Sequence, residues 1–240
     1  MTGKLGEIWV YLSATPLLGL TITLLAYQAA YWLYARSGLN PLANPVALSV
    51  AVLVALLLAT GTPYATYFEG AQFVHFLLGP ATVALAVPLY ANIDRLKKNL
   101  LPLVGALLAG SVTAAASAVA IGWALGASRE TLLSLAPKSV TTPIAMGIAE
   151  KLGGLPSLTA VLVVCTGILG AVLARGTLNL LRIDDHAVRG FAVGVAAHGI
   201  GTARAFQVSE TMGAFAGLAM GLNGLVTAFL FPLAVSLWGR

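Results

Sequence analysis

A chain of 240 residues that is 59% hydrophobic and 9% charged, with a mean hydropathy of +0.92, is not a water-soluble globule, because soluble domains carry about 25% charged residues. The net charge of +5 comes without a long basic run, which argues against a nucleic-acid partner and fits Lys and Arg gathered in loops on one side of a membrane. With Cys165 as its single cysteine, the chain has no internal disulfide and no cysteine-based metal cluster.

About 20 apolar residues cross a bilayer. The length therefore allows roughly seven or eight hydrophobic segments with short loops. The expectation is an all-α, multi-pass protein of the cell membrane, a single transmembrane domain over residues 1–240 with lipid around it. The first residues lack a basic n-region and a small-residue cleavage site, so they read as the lead into the first segment.

Segment one covers residues 8–34, with Trp9, Tyr11, Tyr31, Trp32 and Tyr34 at its ends, as interfacial aromatics are. Segment two, residues 46–60, is short. Segment three, residues 73–93, contains Pro80 and Pro88, each of which removes a backbone donor and crowds the preceding turn. It ends in DRLKK, residues 94–98, which the positive-inside tendency places in the cytoplasm. Segment four, residues 102–125, is dense in Gly, Ala, Ser and Thr, and Gly105, Gly110, Ala114 and Ala118 form a stripe for close helix packing.

Segment five, residues 131–150, carries Pro137 and Pro143. Segment six, residues 158–173, leads into the polar stretch 175–189. Segment seven, residues 190–203, is short and rich in Gly and Ala, and segment eight runs over residues 212–238. Both 92–99 and 175–189 read as cytoplasmic. Parity then requires either that segment five is re-entrant or that one of these charge-based assignments is wrong.

Segments three and five resemble each other. LGPATVALAVPLY (78–90) and LAPKSVTTPIAM (135–146) each place two prolines around small or polar residues. Two interrupted segments at corresponding places point to inverted repeats with a site near the midplane. Half-helix N-termini there aim partial positive charge at an anion.

Two runs carry candidate chemistry. HGIGTARAFQ, residues 198–207, packs His198, Gly199, Gly201, Thr202 and Arg204 into a very apolar neighbourhood. Irregular or polar chain survives at membrane depth only when buried in protein or lining a wet cavity. Arg204 is always charged, and its planar fork matches a carboxylate. KSVTTP adds Lys138, Ser139, Thr141, Thr142 and Pro143, a cation with three hydroxyls, and Asn223 in MGLNG is a further polar group. Competing structural readings stand beside these: Arg204 snorkelling at a helix end, Lys138 in a wet turn, His198 as a packing residue. No HExxH, GxSxG, Walker A or DxDxDG spacing occurs, so nothing argues for an enzyme.

The runs KSVTTPIAMGIAEKLGGLPSLTAVLVVCTGILGAVLA and RGFAVGVAAHGIGTARAFQVSETMGAFAGLAMGLNG, with FLLGPATVALAVPLY, resemble the LrgB/CidB family from about Gln72 to the C-terminus. That resemblance implies one of two roles. The first is an antiholin-like regulator of murein hydrolase activity and lysis, acting with a small LrgA/CidA-type membrane partner. The second, from similarity to the LrgB-like part of the plastid glycolate/glycerate translocator, is transport of small monocarboxylates such as glycolate, glycerate, lactate or pyruvate. The transport reading is preferred, because a holin-like assembly needs no charged glycine-rich core. It expects Arg204 on the carboxylate and Thr202, Ser139, Thr141 and Thr142 on its oxygens. His198 is then on a hydroxyl or a coupled proton, with sodium as the other coupling ion, no cofactor, no metal and a homo-oligomer. An ion channel is a third reading, without an acidic ring or filter repeat to support it.

Overall fold

The computed structural model describes residues 16–77, 80, 83–84 and 86–238. Among them every regular element is helical, and four helices are long and apolar enough to cross a membrane. The chain forms two compact units, residues 1–84 and 85–240.

In the first unit, α1 (Pro16–Arg36) is followed by a 3-10 turn, α2 (Pro45–Thr60) and α3 (Tyr64–Phe76). Asn44 Oδ1 accepts from the Val46 and Ala47 amides and starts α2, while Gly61, at φ +64°, ends it. That positive φ is open to glycine at little steric cost. A Cβ on Gly19 would run into the Tyr67 carbonyl, so α1 and α3 meet there backbone to backbone. Thr23 Oγ1 and Tyr67 Oη, 2.8 Å apart, close the same contact.

The second unit holds α4 (Ala86–Ala91), α5 (Ile93–Lys98), α6 (Leu100–Ala124), α7 (Arg129–Leu135), α8 (Thr142–Leu152), α9 (Pro156–Leu180), α10 (His186–Val208) and α11 (Glu210–Trp238). Helices α6, α9 and α11 are three of the four long apolar helices, the fourth being α1. Residues 131–150 and 190–203, expected as crossing segments, fold differently, and this is one reason the four long helices fall short of the seven or eight segments expected.

Residues 129–152 form a hairpin. Helix α7 ends at Leu135, a turn follows, and α8 starts at Thr142 with Pro143 in its first turn, where a proline needs no amide partner. The end of α8 returns to α7: Ser134 Oγ accepts from Leu155 N at 2.7 Å, and a Cβ on Gly154 would stand 3.0 Å from the same hydroxyl.

Helix α10 is also a hairpin, two helical arms joined across a kink. A straight helix of 23 residues is about 35 Å long. Yet His186 Nδ1 and Ser209 Oγ, at the two ends of α10, are 2.7 Å apart. The chain reverses at Ala197 (φ −126°, ψ 15°) and His198 (φ 38°, ψ −134°). Its arms press together so closely that a Cβ on Gly201 would be 2.6 Å from Ala197 Cβ and 2.8 Å from Val193 Cγ1. Each arm is about 16 Å long, roughly half the ~30 Å hydrocarbon layer.

The hairpin is seated by glycines of α9 and of its own first arm. On α9, a Cβ at Gly167 would stand 2.7 Å from His198 Cε1, and one at Gly170 2.5 Å from Ala197 Cβ. Against α11, Cβ atoms on Gly190 and Gly194 would run into the carbonyl oxygens of Met212 and Ala216. The constant offset along both helices means that the first arm and α11 run parallel. Phe191, Val195, Phe215 and Leu107 pack into one core cluster, and Val193, Ala197, Ala205 and Met212 into another.

Arg95 of α5 pairs with Asp185 at the start of α10. The stretches 92–99 and 175–189 therefore lie at the same end of the unit. Between them α6 leads away, the α7–α8 hairpin enters and returns, and α9 leads back. Segment five is the element that turns back within the unit. The order long helix then hairpin occurs twice, at residues 100–152 and 156–208. Of the repeat read in the sequence, residues 78, 79, 81, 82 and 85 of the stretch 78–90 lie outside the described residues.

Candidate functional site

The turns of the two hairpins meet at Asn223, a fully buried residue of α11. Its Nδ2 donates one hydrogen to the Ser139 carbonyl at 3.1 Å, in the first hairpin's turn. It donates the other to the Val195 carbonyl at 3.0 Å, in the second hairpin. Its Oδ1 accepts from Ser111 Oγ of α6. One side chain thus ties together α6, both hairpins and α11. In an unbroken helix the Val195 carbonyl would take the Gly199 amide, four residues on. Where the helix reverses, the Asn223 amide serves that carbonyl, which matters because an unpaired carbonyl in an apolar interior costs about 1–3 kcal/mol.

His198 sits at the second turn, 4% exposed. Its Nε2 lies 2.9 Å from the Val163 carbonyl of α9. A carbonyl only accepts, so Nε2 carries the hydrogen and Nδ1 is the ring's acceptor. A positive φ at a non-glycine residue is strained by about 1–3 kcal/mol and persists only where the surroundings enforce it. Here they do: Gly167 leaves room for the ring and Val163 holds it. Thr202 Oγ1, also buried, donates to the His198 carbonyl at 2.8 Å, with Met220 Sδ 3.9 Å away. Gly199 has open space where a Cβ would be, with only Met220 Sδ at 3.8 Å.

The first turn supplies the charge. Lys138, half-buried, places Nζ 3.3 Å from the buried Ser139 hydroxyl. Val140 packs with Ala145 and Val163, so the turn is held in the core. Thr141 precedes α8 without capping it through its side chain, and Thr142 begins the helix; both are half-buried, while Pro143 is exposed.

Of the residues read from the sequence, the structure brings together Ser139, Lys138, His198 and Asn223, with Thr202 and Gly201 holding the second arm. Arg204 lies six residues beyond His198, about 9 Å along the return arm. It is half-buried, and its Nη1 donates to Gln207 Oε1 at 3.1 Å. Sequence reasoning missed Ser111, Val163, Gly167 and Gly170. The two glycines three apart in TGILG were a signal: they mark a helix face with no side-chain bulk, which a neighbour occupies. Among the described residues no group of three or more His, Cys, Asp or Glu could hold a metal ion.

At the outer end of the second hairpin, Asp185 Oδ1 accepts from the Ala187 and Val188 amides at 2.8 and 3.0 Å and caps α10. The Val188 hydrogen bond, the largest effect, together with that of Ala187 and the Arg95 guanidinium, holds this carboxyl below the usual carboxylate range against the opposing effect of burial.

The model of the LrgB-like family matches residues 23–237. YwbG of Bacillus subtilis is 37% identical over 75% of this chain and 80% of its own length. YxaC of the same organism is 36% identical over 90% and 94%. A Bacillus mycoides protein named antiholin-like protein LrgB is 28% identical over 91% and 95%. No solved structure matches the chain.

Proposed function

This chain belongs to the LrgB-like family, and we propose that it is a multi-pass carrier of small monocarboxylates in the cell membrane, acting on solutes such as glycolate, glycerate, lactate or pyruvate without changing them chemically. One observation carries this reading: two helical hairpins meet at a buried polar junction bearing a lysine. Irregular backbone at membrane depth is tolerated where it lines a binding cavity, and interrupted helices at a repeat interface are how many carriers build their sites.

The assignment of roles follows the geometry. Lys138 supplies the charge for the carboxylate. Ser139, Thr141 and Thr142 offer hydroxyls, Asn223 an amide, and Gly199 open backbone. The returning arms begin at Thr142 and His198, so two helix N-termini add partial positive charge. His198 Nδ1 accepts from a substrate hydroxyl or takes a coupled proton; sodium is the alternative coupling ion. Arg204, expected from the sequence as the main anion partner, becomes a second cation on the return arm, with Thr202 and Gly201 fixing that arm. Rocking of the hairpins against α6 and α11 would expose the junction to each side in turn.

The test is uptake of labelled glycolate or pyruvate into proteoliposomes. Lys138→Ala is expected to reduce uptake at least tenfold with the melting temperature kept, and Arg204→Ala to reduce it less. Full uptake by Lys138→Ala removes the assigned site. No uptake by the native protein favours the second reading, that of an antiholin-like regulator working with an LrgA/CidA-type partner. The name of the relatives at 28% identity supports that reading.

A further inference from the structure

An open groove of about 500 Å³ runs between α5, α6 and the first arm of α10, with Phe215 of α11 in its wall. The wall is apolar nearly throughout, and Ala106, Val188, Ala192 and Ala196 along it are exposed. Beside helices apolar enough to cross a membrane, such a surface meets lipid tails rather than water. Along α10 the groove extends from Ala187 to Ala196, about 14 Å. One leaflet contributes about 15 Å to the ~30 Å hydrocarbon layer.

The polar groups gather at one end, where Arg95, Asn99 and Asp185 stand. That end is positive. Residues 92–99 carry Arg95, Lys97 and Lys98 against Asp94, while two arginines balance two aspartates over residues 182–189, which leaves a net +2. Arg95 is fixed at the mouth by its pair with Asp185, and its guanidinium carbon lies 5.9 Å from the centre of the Phe215 ring. The bond to Asp185 Oδ2 uses one of the five N–H donors of the guanidinium. At 43% exposure the side chain remains within reach of a second acceptor.

We propose that this groove binds one anionic phospholipid, with an acyl chain along Ala106, Ala192 and Ala196 and the phosphate at Arg95 and Asn99. The two ends of the groove select this occupant together. A free anion gains nothing from the apolar wall, and a neutral lipid gains nothing from the positive mouth. Basic sites between membrane helices recognise lipid phosphates through the same combination. The bound chain fills the space between α6 and the first arm of α10, next to the point where a Cβ on Gly110 would stand 3.0 Å from Val195 Cγ1. It thereby braces the arm whose Val195 carbonyl Asn223 holds. Asp185 competes with the phosphate for Arg95. The site stands whichever solute the junction takes.

The test uses the full chain purified in a nonionic detergent. Melting temperature and lipid retained in native mass spectra are read with phosphatidylglycerol, with phosphatidylcholine of the same chains, and with glycerol 3-phosphate. Expected are one retained phosphatidylglycerol and a raised melting temperature, several-fold weaker retention of phosphatidylcholine, and no effect of glycerol 3-phosphate. Equal retention of the two lipids overturns the headgroup contact, and an equal effect of glycerol 3-phosphate overturns the part of the acyl chain. Ala192→Phe with Ala196→Phe fills the groove from exposed positions and is expected to lose the lipid; full retention puts the lipid elsewhere and overturns the site. Asp185→Asn, which keeps the helix cap, is expected to raise the affinity for phosphatidylglycerol several-fold. Asp94→Asn makes the same change of charge at a residue outside the groove wall and is expected to raise it less. An equal rise in both means that net charge alone draws the lipid and overturns Arg95 as the partner of the phosphate, whether or not the phenylalanine variant folds.

Discussion

The two hairpins reverse the chain by opposite means. The first spends six residues on its turn, 136–141, between a helix that ends at Leu135 and one that begins at Thr142. Its backbone is loosely turned, with the Lys138 and Val140 amides bonding back three residues to the Leu135 and Pro137 carbonyls. The second reverses at Ala197 and His198 alone, and strains the His198 backbone into positive φ. A turn with polar residues of its own satisfies its backbone locally. A reversal inside an apolar helix borrows: Gly167 and Gly170 lend space, Val163 holds the ring, and Asn223 takes the freed carbonyl. The first turn brings the charge and the second brings the precision of position.

That contrast breaks first at Asn223. Asn223→Leu leaves the Ser139 and Val195 carbonyls without their donor, at about 1–3 kcal/mol for each group left unpaired. The melting temperature of the purified protein is expected to fall by more than for any other single change at the junction. Asn223→Asp, of the same shape but without donors, is expected to fall with it. A native-like melting temperature in both would mean that the hairpins are not tied there.

A comparison at His198 sharpens the picture, because its outcome has a sign. Both His198→Ala and His198→Gly lose the bond to Val163. If the chain reverses at His198, glycine relieves about 1–3 kcal/mol of backbone strain that alanine keeps, and His198→Gly melts higher than His198→Ala. If the helix ran straight through, glycine would be the worse residue by about 1 kcal/mol, and the order would invert. The same pair of changes at Ser139 is expected to give no such preference for glycine.

The smallest effect is at the base of the second hairpin. Asp185→Asn keeps the cap and loses the exposed ion pair, which is worth less than about 1 kcal/mol. The folded carboxyl titrates below its unfolded value of about 3.9. The stability it contributes is therefore fully present above that value and is lost as the pH falls through the lowered one. The difference in melting temperature between native protein and Asp185→Asn is expected to be level from pH 7 to 5 and to shrink below pH 4. A difference that grows on acidification would contradict the assignment.

Much of the second unit could be read from residues alone. The apolar lengths of 102–125 and 212–238 lie within two residues of α6 and α11, and the pairing of Arg95 with Asp185 agrees with the same-side reading of their loops. The polar KSVTTP run marked the first turn. The second turn escaped, because VAAHGIG has no proline and helical bonding on both sides of the break. Its cause lies in another segment, in glycines of α9 that only matter once α9 and α10 touch. Arg204 stands out in sequence as a cation in an apolar run, and the structure places it half-buried on the return arm. Asn223 carried little weight in sequence because one amide in a small-residue helix has many uses; only three bonds to three elements single it out.

The most direct measurement of the junction as an anion site is thermal unfolding of the purified protein with and without carboxylates. Glycolate or pyruvate at a hundred times its dissociation constant is expected to stabilise the native protein by about 2.7 kcal/mol and to raise its melting temperature, while Lys138→Ala shows no rise. No rise in the native protein at saturating concentration, or an equal rise in Lys138→Ala, contradicts the account.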